Sequence, residues 1–546
     1  MIHEAIHIKD QERMNMKKGK WFWALFVCLN VLFAADAEEK SVIAAKTEEK
    51  FDQARWQQQV DELRGQDAAN DDVQYRLGKL LLEDKSSKAD VHQKEGFEWL
   101  KKSADGGNMS ALFELGKCYS AGKGTGRDDA LAYNCWRQVA DDDGAKEYLE
   151  AVYKVGKCLL EGTGVAKDAT AGVEWLRESA DGGFLAAFRD LAYIYLKGGE
   201  DGESRNVELA VQYLEKAAEK DDAESQLLLG LIFTHELMGA ERKKEGIKWI
   251  LRAAANGNAE AQSFMGHAYL TGEIVEKDEA KAVEWLEKAA KQDMEVALFN
   301  LGICLRNGEG TEKNEKRAFE CFVKARDLGL DAAHATVGEC YMQGIGVEKD
   351  VRKGIEEYKK GAFKNDGWSQ FCLSQCYNSG RGVDKDEDME FYWVRCAALN
   401  GLPTAINNLG DCYEKGRGIE KDYAMALKYY REAQALGAPI AWCSLGECYE
   451  KGLGVEKNYQ KAVELYEEAI RRDCHEAQMT LGRCYENGTG VKKDAAKAVE
   501  LYRKAAENKV RDAYRELARC YGEGIGVPQN EEEAGKWWDK AQAPDL

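Results

Sequence analysis

Proline is nearly missing from this chain, with four residues in 546. Proline removes a backbone donor and clashes with the preceding turn of a helix, so a chain this poor in it can be helical almost throughout. Histidine is scarce: of seven, those past the amino-terminal segment are His92, His235, His267, His334 and His475, in no common spacing. Past residue 37, His-Glu-x-x-His, Cys-x-x-Cys and Gly-x-Ser-x-Gly are absent, so the usual spacings of zinc and acyl-transfer sites are missing there. Cys372 and Cys376 share a helix face but have no further ligand nearby in the sequence, and read as packing. No residue pattern calls for a metal or a cofactor. Positive charge is in deficit, 77 Lys and Arg against 97 Asp and Glu, a net charge of −20. Phosphate backbones require basic surface, which argues against nucleic acid and favours a basic protein or peptide as partner.

Long apolar runs are missing too, apart from Trp21 to Ala35, broken only by Asn30. Met14-Asn-Met-Lys-Lys-Gly-Lys20 precedes that run and Ala35-Asp36-Ala37 follows it. A basic end, a short apolar core and a small-x-small site make a secretory signal, and the run is short for a membrane span of about 20 residues. Residues 1–37 therefore read as a signal peptide, with 1–13 lying upstream of the pattern and translation starting at Met14 or Met16. The expected location is periplasmic or extracellular, with membrane contact only if the segment stays uncleaved. Residues 38–66 read as a helical lead-in or cap, marked by Phe51, Ala54, Val60 and Leu63.

What is abundant is self-similarity. Leu-Gly-x-Cys-Tyr and close variants return every 36 residues, with cysteines at 304, 340, 376, 412, 448, 484 and 520. The slot continues backwards through Ala268, Ile232, Ile194, Cys158, Cys118 and Leu80, which makes thirteen copies. A period of this length denotes a solenoid whose units bury their apolar faces against each other. In the copy beginning at Ala441, the residues Ala441, Leu445, Cys448 and Tyr449 line one face of a first helix. Gly452 and Gly454 end it, Asn458 caps a second helix, and Ala462, Leu465, Tyr466 and Ala469 line that one. Trp175, Trp249, Trp285, Trp393 and Trp537 occupy the Leu465 slot and read as core. The expected fold is all-α, about thirteen helix-turn-helix repeats over residues 67–543.

Leu-Gly-x-x-Tyr, Gly-x-Gly-Val, Lys-Asp and Lys-Ala-x-x-Trp/Tyr-x-x-Lys-Ala-Ala, in register, resemble the Sel-one-like repeat family, relatives of the tetratricopeptide repeats. The resemblance implies a right-handed superhelix of antiparallel helix pairs acting as a protein-interaction scaffold, with no shared chemistry. By analogy with tetratricopeptide repeats, the residue before the cysteine slot and the second residue after it face a concave binding groove. Those slots hold Asp411 and Glu414, Glu447 and Glu450, and Arg483 and Glu486, an acidic ladder with a solvated charged face as its alternative. Earlier copies carry Lys157 and Leu160, then Tyr193 and Leu196.

Two questions stay open at this level. Equivalent cysteines lie on neighbouring helices about 8–10 Å apart, too far for a bridge, so the column reads as buried thiols. Cys118 with Cys135 and Cys304 with Cys321, however, place one cysteine on each helix of a repeat and are possible disulfides. The one Ser-x-x-Lys, Ser120 to Lys123, would mark a penicillin-binding or cell-wall-active hydrolase like that described for some cysteine-rich relatives. It lacks the accompanying Ser-Asp-Asn and Lys-Thr-Gly, and the leading reading is an exported, non-enzymatic scaffold.

Overall fold

The structure, a computed structural model, describes residues 53–66, 69–84, 86, 89–142, 148–198, 205–234 and 239–542. The signal segment, Cys28, Phe51 and His235 lie outside them. Among the described residues there are 27 helices and no strand. They fall into two compact units that divide between Met265 and Gly266. Within each unit helices pack on their chain neighbours, and first helices of several successive repeats also touch.

The repeat at 439–471 shows why these residues make these elements. Pro439 opens the first helix, Pro439–Lys451, where a missing donor does no harm. That helix ends at Gly452 with φ +75°, and the amides of Gly452 and Leu453 both bond the Cys448 carbonyl at 2.8 and 2.9 Å. A left-handed cap is what glycine supplies without strain. Gly454 has a different duty: a side chain there would meet the Tyr423 carbonyl at 3.0 Å and Leu427 at 2.9 Å, both on the preceding second helix. The first glycine turns the chain and the second lets it touch its neighbour. Asn458 then caps the second helix, Tyr459–Arg471, by accepting from the Lys461 amide at 2.9 Å. Asp128, Asp168, Asn206, Asp278, Asn314, Asp350, Asp386, Asp422 and Asp494 do the same for their helices.

The two helices of a repeat cross at the glycine of Leu-Gly-x-Cys-Tyr. Gly446 lies under the ring of the fully buried Tyr466, where an added methyl would come within 2.4 Å of the ring. Successive repeats are tied by buried glutamines: Gln226, Gln262 and Gln370 donate to the carbonyls of Ala218, Ala254 and Ala362 at 2.9, 2.9 and 3.2 Å. Those carbonyls belong to the last turn of the preceding helix, where no intrahelical donor remains. Ahead of the first repeat, the helix Gln53–Arg64 buries Trp56, Val60 and Leu63.

The tryptophan column differs from the sequence reading. Only Trp393 is buried, at 5 % exposure. Trp175, Trp249, Trp285 and Trp537 are half-buried or partly covered at the core's edge, and Arg137, Arg252, Lys288 and Lys540 lie 4.5, 5.3, 4.0 and 4.2 Å from their ring centres. The slot lies at the rim of the helix pair, where an amphipathic ring meets a snorkelling cation.

Candidate binding surface

The six ladder residues lie on the first helices Pro403–Lys415, Pro439–Lys451 and Glu476–Asn487. Three of them do a job the sequence reading did not foresee. The phenol of Tyr430 donates to Glu414 at 2.9 Å, that of Tyr466 to Glu450 at 2.7 Å, and that of Tyr502 to Glu486 at 2.9 Å. Each tyrosine is at most 1 % exposed, and a buried hydroxyl left without a partner costs about 1–3 kcal/mol. The carboxylates therefore anchor the second helix as well as carry charge.

The other residues engage neighbours. Asp411 pairs with Lys415 at 2.7 Å and with Arg417, Glu447 with Lys451 at 2.6 Å, and Arg483 with Glu516 at 3.5 Å. Glu486 also meets Arg519 at 2.8 Å. Burial pushes the Glu486 carboxyl up, but hydrogen bonds from Arg519 and Tyr502 outweigh it and hold its pKa below the ordinary value. Glu414, Glu447 and Glu450 gather about one cation: burial disfavours the Lys451 ammonium, yet these three carboxylates raise its pKa above the usual lysine value. Asp411 and Arg483 stand apart from that cluster. In the amino-terminal unit the corresponding Lys157 is already paired with Glu161 and Asp190 at 3.1 and 3.3 Å.

Cys118, Cys135, Cys304 and Cys321 are free thiols, so neither possible bridge is formed in this structure. Cys340, Cys412, Cys448, Cys484 and Cys520 are at most 2 % exposed, and burial pushes their thiols up to about 11 or 12. Cys443 and Cys474, both buried, are the thiols that interact most strongly, and the neighbouring Cys474 raises the Cys443 thiol. Their spacing of 31 puts them near the two ends of one repeat; the clue was that Cys474 stands where Leu402, Ala438 and Val510 stand, just ahead of the next first helix.

No group of three potential metal ligands occurs among the described residues. His334 instead pairs with Glu357 at 2.8 Å inside a helix pair, and His92 with Asp84 at 2.7 Å. Ser120 closes the helix Met109–Ala121, and Gly122 with φ +66° caps it. Positions three apart share a face only while a helix continues, so the cap separates Ser120 from Lys123. Among the described residues no helix is long and apolar enough to cross a membrane.

No curated protein matches the chain. Among solved structures, a protective antigen of uropathogenic Escherichia coli displaying an SLR fold is 26% identical, with a TM-score of 0.61 over 82% of this chain and 95% of that one. A Sel1 repeat protein from Oxalobacter formigenes is 29% identical over 46% of this chain and 98% of its own, with a TM-score of 0.39. The Sel1 repeat profile matches thirteen segments: 71–108, 110–143, 149–184, 187–222, 223–258, 259–294, 296–330, 332–362, 369–402, 403–437, 441–474, 475–510 and 511–541. With its helix pairs, caps and glycine crossings matched in register along nearly its whole described length, the chain belongs to the Sel1 repeat family.

Proposed function

We propose that this protein is an exported, non-catalytic scaffold that holds a basic segment of a partner protein on the first helices of residues 403–487. Sel1 repeat proteins typically serve as protein-interaction scaffolds. The observation that carries the reading here is the excess of carboxylate around Lys451: one ammonium faces Glu414, Glu447 and Glu450, leaving negative charge for an incoming lysine or arginine. Such a field speeds association more than it deepens affinity, and salt screens it. Export follows from the basic, apolar and small-residue sections of the first 37 residues.

Changing Glu414, Glu447 and Glu450 to glutamine removes the charge while keeping an acceptor for the buried tyrosines. Binding of a lysine-rich peptide should weaken by roughly tenfold at low salt and lose most of its salt dependence. Unchanged affinity in a folded triple variant would show that the ladder is only solvated surface. Secreted material should begin at Glu38, and a full-length product retained in the cytoplasm would overturn the export reading.

A further inference from the structure

The large apolar side chains left in solvent are mostly scattered singly, with one concentration. Phe363 is 78% exposed, Leu399 65% and Tyr392 54%. Phe363 ends the second helix Val351–Phe363, and Leu399 ends the next second helix, Glu387–Leu399, at the equivalent position 36 residues on. They belong to one surface: the Phe363 ring lies 5.7 Å from the buried Trp393 and the Tyr392 ring lies 5.0 Å from the same indole. Tyr392 and Leu399 are seven residues apart, two turns along one helix face.

The same faces carry a row of cations. Lys359, Arg395 and Arg431 occupy equivalent positions on three successive second helices, Lys359 one turn before Phe363 and Arg395 one turn before Leu399. Among the described residues none of the three makes an ion pair, although the chain is acidic overall. Nearby cations are differently placed: Lys360 is bound to Glu357 and Lys364 to Asp331, each at 2.8 Å. On these faces Glu356 lies one turn before Lys359 without pairing with it, and Asp388 lies two turns before Arg395. Exposed aromatic and aliphatic groups make an apolar patch of the kind that marks an interaction site, and the unpaired cations beside them supply a polar rim.

We propose that the paired ends of these second helices are a second docking surface, whose partner is an acidic amphipathic helix. Its apolar stripe covers Phe363, Tyr392 and Leu399, and its flanking carboxylates pair with Lys359, Arg395 and Arg431. The inference rests on the reading of the chain as an interaction scaffold, and it adds a site of opposite charge preference on the other helix of the repeat.

The probe is a fluorescent synthetic helix of about 18 residues with leucine or phenylalanine at i, i+3, i+4 and i+7 and glutamate on the other face. Titrated with the secreted chain, it should bind saturably, and more weakly as salt rises. Phe363→Ala with Leu399→Ala, and separately Lys359→Glu with Arg395→Glu, should each weaken it by at least about tenfold, the worth of 1.4 kcal/mol. Phe363, Arg395 and Leu399 are exposed and Lys359 is half-buried, so both variants should keep the wild-type helicity and the affinity for the lysine-rich peptide. Failure of the glutamate helix to bind, or equal binding by all three proteins, overturns this proposal while leaving the first-helix reading standing. Loss of lysine-peptide binding in the glutamine variant tests that other reading independently. A dimer that dissociates in the Phe363→Ala, Leu399→Ala variant would assign the patch to a second copy and would also overturn it.

Discussion

The three repeats spanning 403–510 and the one just before them, 369–402, solve the same packing problem with different chemistry. In the three, glycine on the first helix (Gly410, Gly446, Gly482) lies beneath tyrosine on the second (Tyr430, Tyr466, Tyr502), and the phenol reaches a carboxylate at the helix surface. In the fourth, Ser374 stands in the glycine slot, Val394 in the tyrosine slot and Asn378 in the glutamate slot. The acid has moved inside: Glu390 stands where Ala426, Ala462 and Ala498 stand, is 3% exposed, and meets Arg417 at 3.2 Å. One Glu390 oxygen and the Arg417 Nε have no hydrogen-bond partner. A neutral donor at the border stabilises a carboxylate that keeps some water, whereas a desolvated carboxylate needs a cation and still leaves valences unfilled. The smaller Val394 is what makes room for the Ser374 side chain.

The largest effect should come from the crossing. Gly446→Ala drives a methyl into the Tyr466 ring and should lower stability by about 2–3 kcal/mol, read as loss of hydrogen-exchange protection in Pro439–Lys451. Ser374→Ala in the deviant repeat gives up only the hydroxyl's 2.7 Å bond to the Phe371 carbonyl and should cost about 1 kcal/mol or less. Equal effects would erase the distinction between the two crossings.

The second effect is one of sign. Burial pushes the Glu390 carboxyl above its ordinary pKa, with Arg417 only partly offsetting it, whereas Glu486 is held below. A raised folded value means the folded state holds its proton longer, so the Glu390 contribution becomes less favourable as pH rises from the unfolded value to the folded one. A lowered value works the other way: the Glu486 contribution is present above the unfolded value and is lost as pH falls through the folded one. Melting curves from pH 3 to 8 on Glu390→Gln and Glu486→Gln should depart from wild type with opposite slopes. Parallel departures would show that both acids have the same environment.

The smallest concerns the loops between repeats. Gly401 and Gly437 have φ of +78° and +86°, and the matching position further on is Lys509, at φ +62°. A left-handed lysine is strained, while glycine loosens the unfolded chain, so Lys509→Gly should gain only about 0.5 kcal/mol. A loss would mean that the lysine side chain holds a contact of its own.

The sequence made legible what recurs in register: the cap aspartates, the paired glycines and the apolar stripes, because each acts within a few residues of itself. The glutamates of the ladder were found, but not their tyrosines, since Glu450 and Tyr466 belong to different helices and only the crossing makes them partners. Glu390 was visible as an acid in an alanine slot; a periodic reading attends to agreement and passes over the one copy that breaks it. Phe363 with Tyr392 was hidden because the pair spans a repeat boundary, where the rotation between repeats decides who meets whom, and Cys443 with Cys474 because the two lie near opposite ends of one repeat. The half-buried tryptophans were misjudged because a helical stripe gives the direction of the core but not the depth of its edge.

The carboxylates of residues 411–486 are either a receiving surface or only internal struts. Amide hydrogen exchange on the full chain, alone and saturated with the lysine-rich peptide, answers this. On a receiving surface, protection should rise in Pro403–Lys415, Pro439–Lys451 and Glu476–Asn487, and not in the second helices Val351–Phe363 and Glu387–Leu399. Protection confined to those second helices, or unchanged throughout, would contradict it.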